Sequence, residues 1–408
     1  MREWTEHVIW WHVYPLGFVG ADTTGQDRTP THELRRIEGW LDDVIALGAN
    51  GIALGPVFAS STHGYDTINY FRIDERLGDD GDFSSLITAA HDHGIRVLLD
   101  GVFNHVGREF PDTALVRDGG TFEGHDALVE LDHDDPAVAD LVARVMIHWL
   151  DRGADGWRLD AAYSVPPAFW ARVLPRVREA HPDAYIVGEV LHGDYAAIVS
   201  ESGMDAVTQY ELWQSTWHAI AEVNLFELDW TLTRHNELLD TFVPYTFVGN
   251  HDVTRLATRI PDERHRAHAL VLLFTLAGTP SVYAGDERGL EGLKEERFGG
   301  DDAIRPEFPA SPADLPGKRE VYALHQELIA VRRRHSWLHT ARSRTLALTN
   351  ETLVLEMRSG DDRLVVALNL DDSPLELSGV EGADAAATVV AGSLDGRAVP
   401  PHGWAILA

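Results

Sequence analysis

The sequence runs to 408 residues with no cysteine and a net charge of −31. Its length supports one large domain of roughly 250–350 residues with a small one beside it. The absence of thiols excludes disulfides, thiolate metal sites and a cysteine nucleophile, and the acid excess excludes a phosphate-tracking basic groove and fits an uncharged ligand.

The opening stretch, MREWTEHVIWWHVYPLGF, has no basic segment followed by an apolar one, so no secretory signal is expected and the chain is read as cytoplasmic. No apolar run approaches the ~18 residues that span a bilayer, so neither a membrane nor a nucleic acid is an expected partner.

Short apolar runs then alternate with amphipathic ones. The runs lie at 8–18, 50–58, 94–105, 154–162, 183–190, 205–212, 243–252 and 279–287. Helical windows fall between them at 32–48, 83–94 and 166–182. In the last window Phe169, Val173, Leu174 and Val177 recur at helical spacing. Eight apolar strands alternating with helices predict an α/β fold, a (β/α)8 TIM barrel occupying 1–105 and 137–339. The gap after strand 3, residues 106–136, is rich in Gly, Pro and Asp and is expected to be a short excursion. Past a helix at 321–338 the pattern becomes period-two, with turns at TNE and GDD, so 340–408 is expected to be a C-terminal antiparallel β domain, a β-sandwich.

In such barrels chemistry sits at the C-terminal strand ends. Strand 3 ends in Asp100, Asn104 and His105, strand 4 in Arg158 and Asp160, strand 5 in Glu189, and strand 7 in His251 and Asp252. Alone, each has an ordinary structural reading: a helix cap, a core ion pair, a satisfied histidine. Together they gather acids on one rim, and like charges packed together are costly without a purpose. Within DGWRLDAA (155–162), strand alternation puts Arg158 and Asp160 on one face, opposite Trp157 and Leu159. Two carboxylates astride a sugar linkage suffice for glycoside hydrolysis. One attacks as an anion, held ionised by a neighbouring cation such as Arg158, and the other delivers a proton.

These residues resemble the α-amylase superfamily, glycoside hydrolase family 13. DGVFNH (100–105), GWRLDAA (156–162), GEV (188–190) and FVGNHD (247–252) follow the family's order of motifs. GIALGPVF (51–58), HGYDTINYFRID (63–74) and YAGDE (283–287) resemble further family segments, and the pattern is most similar to the cyclodextrinase, maltogenic amylase and neopullulanase group. The resemblance implies a retaining α-glycosidase acting on short or cyclic malto-oligosaccharides through a covalent aspartyl-glucosyl intermediate, with an α-glucan oligosaccharide as its partner. It implies Asp160 as nucleophile, Glu189 as acid/base and Asp252 as transition-state stabiliser. Arg158, His105 and His251 would bind the sugar at the cleavage point, with Tyr65 stacked on its apolar face. Asp100 and Asp66 would support them, and Arg305 would reach the next sugar. Trp213, just past strand 6, is a candidate stacking platform, and Trp10 and Trp11 are expected in the core. Asp286 and Glu287 are read as fold elements.

The chain also departs from the group. The excursion is short, LVELD (128–132) replaces a proline-and-asparagine segment, AY (162–163) stands where KH usually follows the nucleophile, and IRPEFP (304–309) replaces a methionine-proline-tryptophan pattern. No β domain precedes the barrel in this sequence, so the group's domain-exchanged dimer is not expected and the oligomeric state stays open. No cofactor is expected. Many superfamily members hold a structural calcium; Asn104, Asp112 and Asp118 are the nearest match to its ligands here, but the lost KH argues against a required metal. Three alternatives stay open: a transglycosylase or an α-1,6- or disaccharide-specific member of the superfamily, a non-catalytic barrel that binds sugar or protein, and a phosphate-handling barrel.

Overall fold

The computed structural model describes residues 3–297, 299–383 and 388–408. The chain divides into two compact units, one built mainly from Trp10–Thr208 with Arg305–Pro316, the other from Glu3–Ile9, Gln209–Ile304 and Gly317–Ala408.

The first unit carries six parallel strands: β1 (Trp10–Val13), β2 (Gly51–Leu54), β3 (Arg96–Gly101), β4 (Gly156–Leu159), β5 (Tyr185–Gly188) and β6 (Ala206–Val207). They pair in chain order. The register sets Asp100 beside Arg158, and Arg158 beside Val187. Apart from charged or polar residues such as Asp100 and Arg158, the strands are largely apolar, because helices cover the outside. Gly156 is required where it stands, since a Cβ there would lie 2.2 Å from the Tyr185 carbonyl oxygen. Helix Pro167–Ala180 buries Phe169, Val173, Leu174 and Val177 as their spacing predicts. Helix Asp80–Asp92 begins three residues before the predicted window, because Asp79 and Asp82 form a reciprocal capping box. The 32–48 window splits into a 3-10 turn, Glu33–Trp40, and an α-helix, Leu41–Leu47, which stops at Gly48 in the left-handed conformation (φ 99°). Trp10 and Trp11 are buried in the core.

The excursion folds more regularly than its composition suggests. Strands His105–Gly107, Val116–Thr121 and Leu128–Leu131 form an antiparallel sheet, with His105 opposite Glu130. Gly119, Gly120 and a register shift between Val116 and Thr121 break the alternation that would have marked the second strand in the sequence.

The second unit holds the parallel pair β7 (Tyr245–Phe247) and β8 (Thr279–Tyr283). The apolar run at 205–212 is mostly not strand: beyond Ala206–Val207 it opens helix Tyr210–Ala221, whose Leu212 N–H donates to the Gln209 side chain. After helix Arg319–Arg334, strands Arg342–Leu348, Thr352–Ser359, Asp362–Asn369, Trp404–Leu407 and Val389–Gly392 make one antiparallel sheet, in that spatial order. A second ribbon pairs Leu375–Glu376 with Ala398–Val399. Val354, Val365, Ala367, Leu377, Val399, Ala405 and Leu407 form their shared core. Among the described residues no helix is long and apolar enough to cross a membrane.

Candidate active site

The charged pair in DGWRLDAA is part of a larger cluster. Arg158 Nη1 lies 2.7 and 2.6 Å from the two oxygens of Asp100 and 3.0 Å from Asp160 Oδ1. Its Nη2 lies 2.7 Å from Glu189 Oε1. One guanidinium therefore serves three acids contributed by β3 and by the segments that follow β4 and β5. Burial works to lower the Arg158 pKa, but the charges of Asp100, Glu189 and Asp160 outweigh it and hold the guanidinium well above its ordinary range. Arg158 is a fixed cation, and its planar fork suits several carboxylates at once.

The turn after β4 fixes the two central acids. Asp160 N–H donates to the Gly101 carbonyl (3.0 Å) and Glu189 N–H to the Leu159 carbonyl (2.8 Å). Ala161 then adopts the left-handed conformation (φ 45°, ψ 37°), which is strained for a residue with a Cβ. That turn aims its N–H at Glu189 Oε2, 3.0 Å away. Strain of this kind persists where surrounding structure enforces it, commonly at functional sites. Tyr163 N–H reaches the Glu189 carbonyl at 3.3 Å.

Of the predicted sugar ligands of the first unit, Tyr65 touches this cluster directly. Tyr65 donates its hydroxyl to Asp100 Oδ2 (3.2 Å). Asp66 accepts from the Thr62 N–H (3.1 Å) and hydroxyl (2.6 Å), so it shapes the loop that presents Tyr65. His105 stacks on Phe122, with ring centroids 4.5 Å apart and planes 15° apart. Burial pushes the His105 imidazole down to about 4, so it is neutral at pH 7. Arg305 places its guanidinium 4.7 Å from the Tyr14 ring centroid, and Tyr14 donates its hydroxyl to the His63 carbonyl (2.7 Å).

In the second unit, His251 is buried and its Nε2 lies 2.8 Å from Asp252 Oδ2. Asp252 N–H donates to Asn250 Oδ1 (2.8 Å), and Asn250 Nδ2 donates to the Tyr210 hydroxyl (2.9 Å). Trp213 packs its ring against Phe247 (6.3 Å) and edge-on to Tyr210 (5.8 Å). Asp286 is bound by Arg255 (2.7 Å), and Glu287 accepts from the Gly285 N–H (2.8 Å). Burial pushes these two carboxyls up, to about 6 and about 7.

Of the residues considered for calcium, Asn104 has partners within the protein. Asn104 Nδ2 lies 3.1 Å from His105 Nδ1, and the Asn104 carbonyl accepts from the Leu131 N–H. Among the described residues, the cluster of acids and imidazoles close enough to share an ion is His32, Asp79 and Asp82, without Asp112 or Asp118. In that cluster Asp82 already faces His32 (2.6 Å) and Arg35 (2.5 Å). No step below runs through a metal.

Sequence reasoning missed a second group beside the acids. Phe122 and Glu123 come from the excursion, Tyr163 from the turn after Asp160, and His192 from the segment after Glu189. Tyr163 donates its hydroxyl to Glu123 Oε1 (2.7 Å), and its ring lies 6.5 Å from Phe122 and 5.7 Å from His192. The AY replacement at 162–163 was the available signal, but its partner is forty positions away.

Comparison with known proteins identifies the family. The family model of the alpha-amylase catalytic domain matches residues 12–126 and 121–315. A cyclomaltodextrinase from a Bacillus species is 30% identical over an alignment of 421 positions, covering 90% of this chain and 73% of that one. The intracellular maltogenic amylase of Bacillus subtilis is 28% identical over 339 positions, covering 71% of this chain and 57% of that one. The structure of cyclic α-maltosyl-(1→6)-maltose hydrolase from Arthrobacter globiformis, in complex with cyclic α-maltosyl-(1→6)-maltose, superposes with a TM-score of 0.84 at 25% identity, over 100% of this chain and 99% of that one. The fold is thus the (β/α)8 barrel with a C-terminal antiparallel β domain. With its motifs, its fold and its acid cluster in agreement, the chain belongs to the alpha-amylase family and is a glycoside hydrolase.

Proposed function

We propose that the protein is a retaining α-glucosidase of short or cyclic malto-oligosaccharides. The observation that carries this reading is the shared cation: Arg158 lies 3.0 Å from Asp160 and 2.7 Å from Glu189, which keeps the two acids at neighbouring positions around one guanidinium. Retaining glycosidases need two such acids about 5–5.5 Å apart.

The sugar lies with its apolar face on Tyr65 and its hydroxyls toward Asp100, Arg158 and the neutral His105. Asp160, ionised beside Arg158, attacks the anomeric carbon. The C–O bond to the leaving sugar breaks as Glu189 gives a proton to the leaving oxygen, a step for which Glu189 must first take up that proton and release Arg158. A glycosyl ester of Asp160 results. Glu189, now a carboxylate, takes a proton from water as the water oxygen bonds to the anomeric carbon, and Asp160 departs as an anion. Asp252 is assigned the third acid, holding sugar hydroxyls while positive charge develops. A sugar hydroxyl in place of water gives transfer instead of hydrolysis, so both outcomes share the intermediate.

The relatives' substrates favour this class: one is named for cyclomaltodextrin, and another was captured with a cyclic tetrasaccharide of maltose units. An intracellular relative favours a cytoplasmic setting. The test is a panel of maltotriose, cyclodextrins, cyclic maltosyl-maltose, isomaltose, pullulan, sucrose and trehalose, followed by product chromatography and ¹H NMR of the first product. Release of the α-anomer from the malto-oligosaccharides or cyclic glucans supports the reading. Initial β-anomer, or turnover of sucrose or trehalose alone, overturns it.

A further inference from the structure

We propose that Glu123 and Tyr163 form a clasp that holds an aromatic wall, Phe122 and Tyr163, against the leaving sugar, so that this pair sets which acceptors the enzyme uses. The inference rests on the α-glucosidase reading above and deepens it.

The side of the site follows from the chemistry. Glu189 protonates the leaving oxygen, so the departing sugar lies beside Glu189. Tyr163 is tied to that residue by its backbone, N–H to the Glu189 carbonyl at 3.3 Å. The Tyr163 hydroxyl also lies within electrostatic reach of Glu189 and Asp160, so its side chain faces the two acids on the side where the leaving group departs. Three separate segments supply the wall: the excursion, the turn after Asp160 and, with His192, the segment after Glu189. Phe122 also stacks on His105, which links the wall to the predicted cleavage subsite.

Glu123 is the positioning residue. It adopts a left-handed conformation (φ 50°, ψ 29°) and accepts the Tyr163 hydroxyl at 2.7 Å. A non-glycine residue held there signals a backbone fixed by its surroundings. The bond ties the excursion to the catalytic turn and holds the Phe122 and Tyr163 rings as neighbours. Flat aromatic faces suit the C–H faces of a sugar, and an incoming acceptor would dock where the leaving sugar departed.

The test compares maltotriose, whose leaving group is a sugar, with α-maltosyl fluoride, whose leaving group needs no wall. Tyr163→Ala should lose about tenfold more kcat/KM on maltotriose than on the fluoride, as expected for a lost stacking platform. It should also lower the ratio of transfer to hydrolysis when methyl α-glucoside is added as acceptor. Glu123→Ala should lower that ratio too, and Tyr163→Phe, which keeps the ring, should fall between Tyr163→Ala and wild type. Equal losses on both donors with an unchanged transfer ratio would overturn the proposal, because a merely structural role predicts that result. Wild-type enzyme turning over neither donor would instead overturn the α-glucosidase reading, and this inference with it.

Discussion

The backbone N–H of Ala161 donates to Glu189 Oε2 at 3.0 Å, so the residue next to one acid holds the other. The bond exists because Ala161 is left-handed (φ 45°). Ala161→Gly removes the Cβ strain and should leave the fold intact, with activity changed only a few-fold. Ala161→Val puts a β-branched side chain in the same conformation, at a cost of about 1–3 kcal/mol. We expect a lower melting temperature and a kcat loss exceeding that of the glycine variant. Equal kcat values for the two would show that the turn does not position the acid.

Arg158 is nearly buried among Asp100, Asp160 and Glu189. Removing one partner of a buried ion pair costs about 3–5 kcal/mol, because the remaining charges lose their compensation. Arg158→Ala should therefore lose stability of that order in urea unfolding. Arg158→Lys keeps the charge but cannot span the acids, since an ammonium lacks the guanidinium fork. It should fold, and still lose about 100-fold or more in kcat, as when a preorganised donor is removed.

The two acids are separable by leaving group. Asp160→Asn should abolish turnover of every donor, since no ester can form. Glu189→Gln should lose malto-oligosaccharide cleavage by about 10²–10⁴-fold, the usual worth of general acid catalysis. On α-glucosyl fluoride, which needs no proton to depart, its first step should be far less impaired; a burst of fluoride in rapid-quench measurements reads this directly.

Acid should destabilise the fold well above the carboxylate range. Burial pushes His105, His235, His268 and His325 down to about 4, and His339 to about 3. Between those values and about 6.5 the unfolded chain binds protons that the folded chain refuses, so stability is lost as pH falls through that window. Each such group contributes a slope of about 1.4 kcal/mol per pH unit. Asp286 and Glu287, pushed up by burial, oppose this, because folded protein takes their protons first. His32 and His91, raised by Asp82 and Asp155, oppose it as well. The buried histidines outnumber these groups, so the melting temperature should fall between pH 7 and pH 5. His235→Gln should flatten that fall; an unchanged slope would place its titration elsewhere.

Gly156 sits one residue before Trp157 on β4, with the Tyr185 carbonyl oxygen 2.2 Å from where a Cβ would be. Gly156→Ala must push β4 and β5 apart. It should lower stability and kcat together, since those strands carry Arg158 and lead to Glu189, and the loss should show in both thermal melts and steady-state rates.

Much of the arrangement around Arg158 was legible in the residues alone. Strand alternation put Arg158 on one face with Asp160, apolar runs marked the strands, and the order of short motifs placed Asp100, Glu189, His251 and Asp252 at strand ends. These signals are local: each is a few residues long and reports which way a side chain points. The structure alone revealed what joins distant segments. That Arg158 holds three acids depends on the register of β3, β4 and β5. The excursion's sheet is hidden in its sequence because two glycines and a register shift break the alternation. The Glu123–Tyr163 bond crosses forty positions, and nothing within either segment announces it. Periodicity encodes a face, but partnership across the chain is fixed only when packing and strand register bring two faces together.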